Sequence, residues 1–137
     1  DALVIEPYAN PFRVYPLVED YEKFKALFDK GVDCYIINTG DYLGKKVTKE
    51  VSLGVIETVV DGKAHFELFG GLPGMEYLPV EGYEVPDMNG EYAELIRDRM
   101  QFRLDYLKAF NDANPEHQIP QDALESIKTI ERFIDVL

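Results

Sequence analysis

One short run of residues constrains the fold of this 137-residue chain more than any other. The four residues from Cys34 to Ile37 are apolar without interruption, and turn-forming residues follow them from Asn38 to Asp41. An unbroken apolar run of this length is typical of a strand that is covered on both faces. We therefore expect a buried central strand over residues 34–37, in which Cys34 is a small, inert, buried hydrophobic residue.

Helical patterns lie on both sides of this run. Before it, Tyr21, Phe24 and Phe28 recur at helical spacing and predict a helix that packs one face inward. After it, Thr48 can cap a second helix, in which valines recur every four residues until an Asp-Gly pair ends it. The order helix, strand, loop, helix is typical of an α/β layer, where ligands bind beyond the carboxyl ends of strands. We expect the loop from Asn38 to Lys46 to occupy that position.

The second half of the chain predicts short strands and then two helices. Within residues 64–86, Phe66 and Leu68 alternate with His65 and Glu67, and several glycines and prolines follow, which predicts short strands and loops. A long helix is expected after Pro86, up to the break at Asn114-Pro115, and a last helix is expected to begin near Pro120. We interpret residues 1–137 as a single domain of α/β (mixed α+β) class, with helices packed on a small mixed sheet.

Composition and charge narrow the classes of partner. The chain carries 14 Lys and Arg against 26 Asp and Glu, and its formal net charge of -12 repels nucleic acid and anionic membrane surfaces. A single cysteine suits a reducing compartment but also suits a disulfide-free secreted domain, and of the two we expect a cytoplasmic protein. His65 and His117 lie far apart and have no cysteine near them, so we assign no metal site. The apolar stretch that begins at Ala2 leads us to expect a missing upstream part of the same protein.

Lys45 and Lys46 form a cationic cluster that is a candidate binding site for an anion. They follow Gly44 and directly precede the helix that Thr48 can cap. The free backbone amides at the start of a helix attract anions, and two ammonium groups beside them add to that attraction. Two solvated lysines in a surface loop remain the simpler interpretation of this pair taken alone.

The residues around this pair resemble those of the ATP-dependent phosphoenolpyruvate carboxykinases. The similarity rests on an apolar strand that ends in Asn-Thr-Gly at residues 38–40, then on Gly-Lys-Lys at residues 44–46, and on the following helix with its Asp-Gly end. It covers roughly residues 10–62. The chain departs from the family at Asp41, where a tryptophan is usual, at Lys46, which replaces an arginine, and at Leu53. Its loop before Gly44 is also short.

The resemblance implies a role in binding ATP. It implies that Lys46 and Val47 flank the adenine, that Ser52 hydrogen-bonds to it and that Lys45 lies close by. The family's phosphate-binding loop, divalent-metal ligands and oxaloacetate-binding arginines lie upstream of this segment, so no catalytic residue is assigned here. On this interpretation the chain is the C-terminal portion of a phosphoenolpyruvate carboxykinase-like protein. It would meet nucleotide and small-molecule substrate only together with the missing N-terminal part.

The intact parent would convert oxaloacetate and ATP to phosphoenolpyruvate, ADP and CO2 by metal-assisted phosphoryl transfer. An alternative is a catalytically inactive relative, in which the fold serves as a packing or interaction domain. The three departures at Asp41, Lys46 and Leu53 motivate this alternative, because lysine lacks the flat guanidinium that stacks on a ring.

Overall fold

The computed structural model describes residues 12–70 and 72–134. Within these ranges the chain forms, in order, α1 (Leu17–Asp29), β1 (Asp41–Tyr42), β2 (Lys45–Lys46), α2 (Lys49–Val60), β3 (Glu67–Leu68), β4 (Glu76–Tyr77), α3 (Gly90–Ala113) and α4 (Gln121–Ile134). Helices and antiparallel strands together confirm the expected mixed α+β class. The apolar stretch from Ala2 and the start of the family resemblance lie outside the described residues.

The helices end where the local sequence predicts. The α1 helix stops before Gly31, whose φ of 71° lies in the left-handed region that glycine adopts without strain. The Thr48 hydroxyl caps α2 by accepting a hydrogen bond from the Val51 amide over 3.3 Å. The α3 helix ends at the predicted Asn114-Pro115 break, and α4 begins directly after Pro120.

Most of the buried apolar side chains belong to the α3–α4 pair and the segments that touch it. One cluster consists of Leu17, Leu104, Ile119 and Leu124, and a second consists of Leu72, Ala93 and Ile134. The start of α1 joins the first cluster, and the Tyr21 hydroxyl donates a hydrogen bond to Asp122 of α4 over 3.1 Å. The amphipathic faces of α3 and α4 therefore form the main core of the described residues.

The strands form two small antiparallel ladders rather than the one mixed sheet that we expected. In the first ladder β1 pairs with β2, and in the second β3 pairs with β4. Each strand contributes two residues, which is too short to present a continuous apolar face to a helix. The prediction of helices packed on a small mixed sheet is therefore corrected to helices beside two separate ladders.

The prediction of a buried central strand at residues 34–37 is wrong. These residues form no ladder, Ile36 is fully exposed, and Cys34 is an exposed free thiol that donates to the Val32 carbonyl over 3.6 Å. The ring of Tyr35 stacks on the ring of Phe66, with 5.6 Å between ring centroids. The physical reason is the absence, within the described residues, of neighbouring strands that would pair with this run and cover it.

The expected inward face of α1 is only partly buried. Tyr21 packs on the α3–α4 core, but Phe24 and Phe28 are 46% and 55% exposed and contact each other at 5.8 Å between ring centroids. Within the described residues, α1 packs on the α3–α4 core through its first two turns, with Leu17, Val18 and Tyr21. None of the helices in residues 12–70 and 72–134 has the length and apolar character needed to cross a bilayer.

Candidate functional site

The predicted cationic loop is folded into a tight hairpin over residues 41–46, hereafter the hairpin. Asp41 lies opposite Lys46 and Tyr42 lies opposite Lys45, with Leu43 and Gly44 as the two turn residues. Both turn residues have positive φ, 49° at Leu43 and 79° at Gly44, as a type I′ turn requires. Gly44 adopts this conformation freely, whereas Leu43 is strained in it and leaves its side chain exposed.

The two lysines of β2 occupy different environments. The Lys45 ammonium donates a hydrogen bond to the Gly82 carbonyl over 2.7 Å and lies 4.4 Å from the ring centroid of Tyr83. Lys46 is exposed, and successive side chains of a strand point to opposite faces. The 82–84 loop therefore holds Lys45, while the Lys46 side chain faces solvent on the other side of the ladder.

Two tyrosines tie the hairpin to the 82–84 loop. The Tyr83 hydroxyl donates to the Lys46 carbonyl over 2.8 Å, and the Tyr42 hydroxyl donates to the Glu84 carbonyl over 3.3 Å. Their rings meet edge to face with centroids 6.2 Å apart. Together with the Lys45 contact, these bonds join segments that are 37 to 42 residues apart in the sequence.

The hairpin leads directly into α2, and the other two predicted residues lie there. Val47 is buried, and its amide donates to the Gly40 carbonyl over 2.9 Å, which closes the base of the hairpin. Ser52 is also buried, and its hydroxyl donates to the Thr48 carbonyl over 3.2 Å. The amides of the first helical turn that Thr48 does not cap have no acceptor inside the helix, so they add positive potential beside Lys46.

The four predicted residues thus lie along one continuous stretch, but they are not equivalent. Lys46 alone presents a free cationic side chain to solvent, since Lys45 is engaged by the Gly82 carbonyl. Val47 and Ser52 lie mostly beneath the surface. The covered strand that was expected behind them is replaced by the exposed run from Cys34 to Ile37.

Three tyrosines in this region have raised pKa values, for different reasons. Burial raises the pKa of Tyr42, and the nearby Tyr92 and Glu84 raise it further. Burial also raises the pKa of Tyr92, whereas the pKa of Tyr77 is raised first by its hydrogen bond to Glu67, at 3.0 Å. These phenols therefore stay protonated through the neutral range and act as hydrogen-bond donors.

A cleft of about 370 Å3 lies beside the 82–84 loop. It is lined by Tyr77, Pro79, Val80, Glu81, Tyr83, Glu84 and Val85. This lining includes none of the four predicted residues, and its two carboxylates make it unfavourable for a phosphate group. The cleft therefore lies next to the hairpin, which contacts the lining residues Tyr83 and Glu84, but it does not contain the predicted residues.

Among the described residues, no group of three or more histidine, cysteine or acidic side chains is arranged to hold a metal ion. His65 and His117 are both exposed, and each lies outside the elements that carry the hairpin. The expectation that the divalent metal of the parent binds elsewhere stays a prediction.

The sequence interpretation missed Tyr42, Tyr83 and Gly82, the three residues that fix the hairpin to its neighbour. A local signal for the hairpin was available, since Leu43-Gly44 is a two-residue connection between flanking polar and aromatic residues. No local signal connects Tyr83 with Lys46, because the pairing spans 37 residues.

Comparisons with protein-family models, curated proteins and solved structures found no match to this chain.

Proposed function

We propose that this chain is the C-terminal piece of a phosphoenolpyruvate carboxykinase-like protein and contributes the adenine side of an ATP site. The observation that carries the proposal is the exposed Lys46 side chain, held at the end of the hairpin directly before the capped start of α2. An ammonium group and uncapped helix amides at one point favour a negatively charged ligand. The resemblance of residues 10–62 to the ATP-dependent carboxykinases supports a nucleotide as that ligand.

Each predicted residue has a defined part in this proposal. The Lys46 stem provides apolar surface at the edge of the base, since the aliphatic part of a lysine can pack while its charged end stays in water, and the buried Val47 supports that surface from beneath. The Ser52 hydroxyl donates its proton to the Thr48 carbonyl, which leaves its oxygen lone pairs free to accept from the amino group of adenine. Lys45 contributes positive potential from behind, through the position that Gly82 gives it.

The reaction itself belongs to the parent. In the proposal, phosphate binding, the divalent metal and oxaloacetate binding come from the upstream part, and this chain has no turnover of its own. The parent then converts oxaloacetate and ATP to phosphoenolpyruvate, ADP and CO2. The upstream sequence is expected to contain a glycine-rich loop ending in Lys-Ser or Lys-Thr after a strand. A parent without such a loop would overturn the enzymatic part of the proposal.

Titrating ATP into the isotope-labelled chain tests directly whether residues 44–53 form one side of the ATP site, hereafter the nucleotide wall. We expect amide shifts confined to residues 44–53, and we expect Lys46→Ala to weaken ATP binding about fivefold, the loss of about 1 kcal/mol from an exposed ionic contact. Lys63→Ala is the matched control, because it removes the same charge from an exposed lysine that pairs with Asp61 at 2.7 Å, beyond the end of α2. Equal weakening by both variants would mean that ATP senses only the net charge.

Two contacts favour the alternative of a catalytically inactive relative that serves as a packing or interaction domain. Lys45 is bound to the Gly82 carbonyl, and the Ser52 hydroxyl is directed to the helix backbone. Both polar groups therefore donate to partners inside the protein. No shift at millimolar ATP in residues 44–53 would favour this alternative over the nucleotide wall.

A further inference from the structure

We infer that Tyr83 is a positioning residue for the nucleotide wall: it holds the backbone of β2 so that the Lys46 side chain stays at the start of α2. The inference rests on the proposed function and assigns the 82–84 loop a role that the family resemblance, which ends near residue 62, does not cover.

The position of Lys46 depends on support from outside the hairpin. The ladder between β1 and β2 contains only two residue pairs, and an isolated two-stranded hairpin is marginally stable at best in water. Its turn also contains Leu43 at a φ of 49°, which disfavours the hairpin further. Contacts from another segment must therefore fix the orientation of β2.

Tyr83 provides the contact that acts on Lys46 itself. Its hydroxyl donates to the carbonyl oxygen of Lys46 over 2.8 Å, and its ring packs edge to face on Tyr42 of the opposite strand. One side chain thus contacts both strands of the hairpin. A hydrogen bond to the main chain restrains the peptide plane of Lys46, and that restraint fixes the direction in which its side chain leaves the strand.

Lys45 completes the arrangement on the face of the ladder that the Tyr83 ring covers. Its ammonium lies over the Tyr83 ring at 4.4 Å and donates to the Gly82 carbonyl at 2.7 Å. Gly82 suits this close approach, because it adopts a φ of 76° and a Cβ at that position would lie 2.8 Å from the Lys45 ammonium. The two lysines therefore divide the work: Lys45 anchors the hairpin to the 82–84 loop, and Lys46 is left to meet the ligand.

The test compares Tyr83→Phe with Tyr77→Phe. Both variants remove one hydroxyl that donates a hydrogen bond, to the Lys46 carbonyl in one case and to the Glu67 side chain in the other. With ATP titrated into each isotope-labelled chain, we expect Tyr83→Phe to weaken binding by up to about fivefold. The lost bond, roughly 1 kcal/mol, holds the binding orientation of Lys46, and the apparent affinity falls with the fraction of chains that keep this orientation. Tyr77→Phe should bind like the unmodified chain.

Amide shifts without nucleotide separate positioning from a general loss of structure. Tyr83→Phe should move the amide signals of Lys46 and Val47 and leave those of α3 and α4 unchanged. Unchanged ATP affinity in Tyr83→Phe, when the unmodified chain binds, would overturn the positioning role alone. Absence of binding to the unmodified chain would overturn the proposed function and the positioning role with it. Equal weakening in both variants would also overturn the assignment to Tyr83.

Discussion

The α3–α4 pair and the region of residues 31–68 are stabilised in different ways within one chain. The long helices pack along their apolar faces and bury Leu104, Ile119 and Leu124. In the other region Ile36, Leu53 and Val60 are mostly exposed, and the hairpin is held by polar contacts to the 82–84 loop. Hydrophobic burial thus stabilises the α3–α4 pair, whereas hydrogen bonds between distant segments determine the shape of the hairpin.

This difference means that the residues that stabilise the fold are not the residues that shape the candidate site. Full burial of a large apolar side chain stabilises a fold by roughly 1.5 to 3 kcal/mol, whereas one hydrogen bond adds a net stabilisation of roughly 1 kcal/mol. A substitution in the helical pair should therefore act on the whole fold. A substitution at the hairpin should act locally, on the position of the Lys46 side chain.

The largest expected effect comes from truncating the core of the helical pair. Leu104 is 3% exposed and packs between α1, α4 and the segment before α4, so Leu104→Ala should lower the free energy of unfolding by about 2 to 5 kcal/mol. Urea unfolding followed by helical circular dichroism measures this change.

Leu53→Ala is the control for that measurement, because Leu53 lies on α2 and is 64% exposed. The same chemical change there should alter the free energy of unfolding by no more than about 0.5 kcal/mol. A loss at Leu53 as large as that at Leu104 would contradict the contrast, since it would mean that the outer face of α2 is covered in solution.

An intermediate effect is expected at the start of α2. Thr48→Ala removes the oxygen that accepts the Val51 amide and should destabilise α2 by about 1 kcal/mol. Amide hydrogen exchange should show the loss in residues 49–60, with little change in α3 and α4. Thr58→Ala is the matched control, because its hydroxyl bonds back to the Gly54 carbonyl inside the helix and caps no free amide. Faster exchange throughout both regions would show that α2 and the helical pair unfold together.

The smallest expected effect is an alkaline loosening of the hairpin. The pKa of Tyr42 is raised above 10.0, by burial first and then by Tyr92 and Glu84. Between pH 10.0 and this higher value the folded chain keeps a proton that the unfolded chain has released, so the stabilisation is complete below pH 10.0 and is lost above it. Unfolding free energies at about pH 8 and about pH 11 should fall more in the unmodified chain than in Tyr42→Phe. Equal falls would assign the loss to other groups.

Helix positions were predictable because their signals are local. The Thr48 cap, the Asn114-Pro115 break and the Pro120 start each act within a few residues of the helix end that they define. The mixed α+β class follows from the same local patterns.

The central strand could not be predicted correctly, because an apolar run becomes a covered strand only when other strands pair with it. Residues 34–37 carry the composition of such a strand, yet the described residues offer them no ladder. For the candidate site, the sequence identified Lys45, Lys46, Val47 and Ser52 as neighbours but not their different environments. Those differences come from Tyr83 and Gly82, which no local pattern connects with β2.

The long separation between Lys45 and Gly82 also has a kinetic consequence. Their contact closes a loop of 37 residues, whereas the Asn111 side chain meets the Ile119 backbone across 8 residues, at 2.7 and 2.9 Å. Loop-closure entropy rises with the logarithm of length, which makes the longer closure less favourable by about 1.4 kcal/mol. The α3–α4 pair is therefore expected to assemble first during folding. The hairpin acquires its final orientation only afterwards, when it meets the 82–84 loop.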